Sequence, residues 1–95
     1  MNLMEMEKMA ETKMIKVILL VNSERLISEI EEVVADIGQP DCKLINPHEI
    51  WEGPNLCPWM MDVTKQDTFM ISSDKILTLV DPTPTLLEKY EDLIK

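Results

Sequence analysis

A chain of 95 residues has room for one hydrophobic core and no second domain. Its 9 Lys+Arg against 18 Asp+Glu give a formal net charge of −9, the wrong sign for long-range attraction to nucleic acid, so any such contact has to be local. The 45% hydrophobic content, with two glycines and six prolines, is that of a packed globular protein and excludes disorder throughout, and no apolar run approaches the ~20 residues that cross a bilayer.

Residues 1–13 carry Glu5, Glu7 and Glu11 and lack an apolar stretch of the length an export signal needs, so a cytoplasmic location is expected. This segment is expected to be peripheral. It is either an upstream extension of a chain that starts at Met14, or a short helix laid on the body through Leu3, Met6 and Met9. Residues 15–21 (IKVILLV) are aliphatic and β-branched, which predicts a strand ending at the turn pair Asn22-Ser23.

The next stretch reads two ways. Leu26, Ile27, Ile30, Val33, Val34 and Ile37 form a helical stripe closed by Gly38 and Pro40. The same segment is rich in β-branched residues, has no capping box, and allows a period-2 reading through Leu26, Ser28, Ile30 and Val34. The local pattern leans towards helix and leaves both open: a helix makes a βαβ opening with a parallel sheet, a strand makes a hairpin and a meander.

Residues 42–45 (CKLI) read as a short strand, broken at Asn46-Pro47 and continued in extended form over 48–51. Residues 52–66, with Gly53, Pro54, Asn55 and Pro58, form a long connection carrying the Pro58-Trp59-Met60-Met61 cluster. Residues 68–71 and 76–80 are strand-like and separated by the polar turn Ser72-Ser73-Asp74-Lys75, a second hairpin. Thr83 caps a terminal helix with Pro84 at its first position and an apolar stripe of Leu86, Leu87, Tyr90, Leu93 and Ile94.

Few residues point to chemistry. Two glycines, at 38 and 53, cannot build a phosphate-binding loop. His48 is the single histidine and has no motif around it; Cys42 and Cys57 form no C-x-x-C, so no zinc site assembles within one chain and both thiols read as reduced, small apolar groups. Glu29, Glu31 and Glu32 read as a solvated acidic face rather than a catalytic pair. Trp51, Trp59, Phe69 and Tyr90 either stack bases or fill a core and a subunit contact. No catalytic residue, metal or cofactor is expected, and the chain is read as a non-enzyme.

Over residues 14–80 the chain resembles the Sm-like family (Sm, LSm and bacterial host-factor type). Asn22-Ser23 stands where the family has its Asn-Gly turn, and Leu26-Ile27-Ser28-Glu29-Ile30 follows with Ser28 at the glycine position. Leu44-Ile45-Asn46-Pro47-His48-Glu49 is similar to the end of the third strand, and Ile71-Ser72-Ser73-Asp74-Lys75-Ile76 to the apolar-Arg-Gly-x-x-apolar turn. The string of Asn-Pro, Pro-Trp-Met, Ile-Leu-Thr-x-Val-x-Pro and Leu-Leu-x-Lys-Tyr looks most like small Sm-like proteins of tailed phages that infect marine cyanobacteria. Both signature glycines are serine here, and Ser72 replaces the Arg that helps form the family's uridine pocket. The helix expected here comes last rather than before the first strand.

The resemblance turns residues 25–34 from helix to strand. It implies a mainly β fold: a five-stranded, strongly bent Sm-like (SH3-type) barrel over 14–80 with a C-terminal helix over 81–95. It also implies a homo-oligomeric ring of about five to seven subunits, with Phe69, Met70 and Ile71 of one copy meeting Ile76, Leu77 and Thr78 of the next. By position, the family's base pocket maps to Asp41, Cys42 and Lys43 with Ser72, Ser73, Asp74 and Lys75. There Lys43 and Lys75 meet phosphates while Asp41 and Ser73 meet base edges of single-stranded RNA or DNA, which implies a role in nucleic-acid processing. The alternative is an oligomeric protein-docking scaffold with no nucleic-acid role.

Overall fold

The computed structural model describes residues 14–52 and 55–95. The expectations for residues 1–13 lie outside it. Six strands form one antiparallel sheet: β1 (Ile15–Leu20), β2 (Arg25–Glu32), β3 (Cys42–Ile50), β4 (Leu56–Pro58), β5 (Thr68–Ile71) and β6 (Ile76–Val80). A helix, α1 (Pro84–Leu93), follows. The fold is mainly β, bent and barrel-like, with a C-terminal helix, as expected; β4, inside the segment read as a connection, is the additional strand.

The order is β4-β3-β2-β1-β6, with β5 also on β3. β3 therefore serves two partners along one edge, β5 with residues 42–45 and β4 with residues 48–50. What separates them is a bulge. Ile27 pairs with His48 and Glu29 with Ile45, so Asn46 and Pro47 together face Ser28. Asn46 takes a left-handed φ of 54°, and Pro47, with no N–H, loses no ladder bond by standing there.

β2 is a strand, and the helix reading of 26–37 is overturned. The β1–β2 turn has Ser23 at φ 73° and Ser23 N donating to Leu20 O at 2.9 Å. The strand ends at Glu32, and Val34 and Ile37, the tail of the apparent helical stripe, are fully exposed in the loop that follows. The stripe has a physical origin. Leu26 and Ile30 enter the barrel core with Ile18, Leu20, Cys42 and Leu44, while Ile27, paired with His48, lies outside that cluster, so both faces of the strand are buried. Two-sided burial puts apolar residues at adjacent positions, as a helix does. Each fully buried aliphatic side chain contributes ~1.5–3 kcal/mol.

α1 begins as its residues predict, with Thr83 Oγ1 accepting from Leu86 N at 3.3 Å and Pro84 at the first position. Its Tyr90, the one buried residue of the helix, reaches the β3 bulge. The hydroxyl accepts from Glu29 N at 3.2 Å and has Asn46 O at 3.0 Å and Ile45 O at 3.2 Å as acceptors for its proton. Ser28 Oγ, also buried, donates to Glu29 O (2.8 Å) or Ile45 O (3.0 Å). The backbone groups that the bulge takes out of the ladder are thus satisfied by two hydroxyls. Burial pushes the Tyr90 phenol above its ordinary value, which keeps it a donor.

The expected second hairpin is not formed. A 3-10 turn at Ser73–Lys75 joins β5 to β6, but β5 pairs with β3 and β6 with β1, so the two strands close the sheet path from opposite ends.

Candidate functional site

The turn before β3 and the turn between β5 and β6, 32 positions apart at Asp41 and Ser73, meet. Ser73 N donates to Asp41 Oδ1 and Ser73 Oγ to Asp41 Oδ2, each at 2.7 Å. Both donors of Ser73 go to one carboxylate and hold it below its ordinary value, the side-chain bond contributing most. The β3–β5 ladder brings them together, since Cys42 opposes Ile71 immediately beside the turns.

The other turn residues divide by side-chain direction. Cys42 is buried in the core cluster, so its thiol is withdrawn from the turn. Burial, then the charges of Asp41 and Glu32, push that thiol up, which makes it unreactive. Ser72 is half-buried and takes the N-cap position of the 3-10 turn without a side-chain cap bond. Asp74 and Lys75 are exposed, and Lys43 is half-buried on β3 opposite Glu31 and Met70. Neither lysine has an ion-pair partner among the described residues. The turn pair therefore offers two cations beside a carboxylate that Ser73 already engages.

The residues expected to join subunits lie on the two outer edges of the sheet. Asn46 N bonds Asp67 O at 2.6 Å, which sets the alternation along β5: Phe69 and Ile71 turn their main-chain groups to β3, Thr68 and Met70 turn theirs outward. The Thr68 carbonyl receives Gln66 Nε2. On β1, Leu20 N bonds Glu24 O and Val21 N bonds Lys75 O, so Thr78 and Val80 face β1 while Leu77 and Leu79 face outward. Phe69, Ile71 and Ile76 pack partly on the core, whereas Met70, Leu77, Leu79 and Val80 are exposed. The four residues of β5 (TFMI) and five of β6 (ILTLV) include no charge and no proline.

A separate pocket of about 430 Å³ lies at the other end of β3, between the bulge, the end of β4 and the connection to β5. Pro47, Pro58, Trp59, Met61 and Phe69 supply its apolar walls, and Lys65 and Asp67 are among its polar residues. The sequence flagged the Pro58-Trp59-Met60-Met61 run but gave no sign that Asn46-Pro47 would sit against it. Trp51, by contrast, is exposed, its carbonyl 3.4 Å from Arg25 Nη2.

Both cysteines are free, and no group of three or more His, Cys, Asp or Glu is placed to hold a metal among the described residues. No described helix is long and apolar enough to cross a membrane. No curated protein matches the chain. A family model described as "Family of unknown function (DUF6561)" matches residues 13–95, and the chain belongs to that family.

Proposed function

We propose that the chain is a non-enzymatic, Sm-like ring subunit. β5 of one copy pairs with β6 of the next, and the closed ring holds single-stranded RNA or DNA weakly at the turn pair for nucleic-acid processing. The observation that supports this most is the pair of uncharged, proline-free outer edges at β5 and β6. Such edges are templates for strand addition unless charge, proline or a covering element blocks them. Two different edges on one molecule make a head-to-tail contact, which closes into a ring where the rotation allows, of about five to seven subunits here. Each copy then brings its own Lys43 and Lys75, and closure multiplies a weak phosphate contact by the subunit number.

Light scattering on a sizing column, over a range of concentrations, tests the assembly. A discrete mass of several subunits is expected; a monomer throughout overturns the reading. Fluorescence anisotropy with labelled oligo-uridine and oligo-thymidine at low salt tests the contact. Binding that disappears in Lys43→Glu with Lys75→Glu supports it, and no binding to either polymer removes it.

A second reading, a protein-docking scaffold, is favoured by one specific observation. Asp41 and Ser73, the residues expected to meet base edges, spend their polar groups on each other. An assembly that binds neither polymer selects this reading.

A further inference from the structure

The pocket at the bulge end of β3 plays no part in the turn-site reading, and it is built to stay open. Trp59 N donates to Pro47 O at 2.9 Å, and the indole Nε1 donates to Glu24 Oε2 at 3.0 Å. Glu24 is held in turn by Asn22 Nδ2 at 2.6 Å. The Trp59 and Phe69 rings meet edge-on at 5.2 Å. Trp59 is thus fixed at its backbone, its indole nitrogen and its ring, so the wall it forms does not fold inward. About 430 Å³ lies within the range of ligand-sized sites and accepts one large side chain with its main chain.

Charge then decides the occupant. The lining itself holds one cation, Lys65, and one anion, Asp67; the excess of acid lies around it, in Glu49, Glu52 and Asp62 of the same segment and in Glu24, which accepts from the Trp59 indole. The surroundings repel a polyphosphate and attract a cationic chain, in the same sense as the net charge of −9. Main-chain pairing is not the means of capture. Asn55 O and Trp59 N both bond towards β3, so the outer edge of β4 falls to Leu56 and Pro58, and Pro58 has no N–H to offer. A ligand here has to be held by its side chain.

We propose that this pocket docks a bulky apolar side chain carried on a Lys/Arg-rich segment of a partner protein. The walls take the apolar group, Asp67 on the lining meets one flanking cation, and the exposed Asp62 of the same segment adds to the attraction. The site is independent of the turn pair and does not require the ring.

The test uses the full chain as target for a displayed library of random dodecapeptides, with Thr64→Trp, which fills the pocket, as counter-target. The best peptide is then titrated into the isotope-labelled protein. Enriched peptides are expected to pair a bulky apolar residue with Lys or Arg, and resonance shifts to fall on residues 46–48 and 58–69. Thr64→Trp, and separately Asp62→Lys with Asp67→Lys, should each weaken binding by at least about tenfold. The double charge variant lies at two exposed positions, so it keeps the test decisive if the filled variant fails to fold. No enrichment over the counter-target, enrichment of acidic peptides, or shifts elsewhere overturns the proposal. So does a uridine hexanucleotide that moves the pocket resonances where the peptides do not. Hexanucleotide shifts at residues 41–43 and 72–75 alone leave the pocket to the peptide and bear only on the turn-site reading.

Discussion

The two halves of β3 differ in what their partners show to the outside. Residues 48–50 pair with β4, three residues long and ended by Pro58. Residues 42–45 pair with β5, which keeps the main-chain groups of Met70 on its outer edge and has no charge or proline among its own four residues. A short edge strand with proline is a device against strand addition, whereas an uncharged edge with exposed Met70 invites it. One strand, divided by one bulge, thus carries a closed edge and an open one. The contrast leaves the β5 edge of β3, rather than the β4 edge, to the strand pairing with β6 proposed above.

Placing charge on the open side should have the largest effect. Met70→Lys with Leu77→Lys is expected to drop the native mass from several subunits to one. Both positions are exposed, so the monomer itself should change in stability by only about 0.5 kcal/mol each. Light scattering and urea unfolding read the two quantities separately. Next in size is the junction between the halves. Tyr90→Ala should cost about 3–5 kcal/mol in urea unfolding, since it empties a fully buried site. Tyr90→Phe, which removes only the hydroxyl serving Glu29 N and the Ile45 and Asn46 carbonyls, should cost about 1–3 kcal/mol.

Opening the closed edge is a smaller change. Pro58→Val restores an N–H on β4 and should add a second, concentration-dependent association visible as a drifting mass, with the fold unaffected. The smallest effect belongs to Asp41. Because Ser73 holds its carboxyl below the ordinary 3.8, the contribution is complete above that value and is lost as pH falls through the lower folded-state value. Asp41→Asn should flatten this part of the acid limb in pH-dependent unfolding, slightly lowering stability in the neutral range and leaving it unchanged at the acid extreme.

Much of the fold was legible because its signals are local. The aliphatic run of β1, the Asn22-Ser23 turn, the strand pair around Ser73 and the Thr83-Pro84 start of α1 each follow from a few neighbouring residues. β2 was not legible from its own pattern, since burial on both faces imitates a helix; the strand reading came from an expected resemblance and not from these residues. The false second hairpin has the opposite cause: the turn is local and real, but which strands pair is decided by β3 and β1 far along the chain. β4 was missed because three residues ending in proline carry no periodicity. At the turn site, position gave Asp41 and Ser73 as neighbours. It did not reveal that they bond each other, nor that the Cys42 side chain points inward.

The closure of the bulge by Tyr90 fixes an order of events. Glu29 N and Tyr90 Oη are 61 positions apart, so this bond closes only once β2 and α1 are both in place. The Glu29 amide donates to that hydroxyl, so its hydrogen-exchange rate follows how often α1 lifts from the sheet, without a label or a substitution.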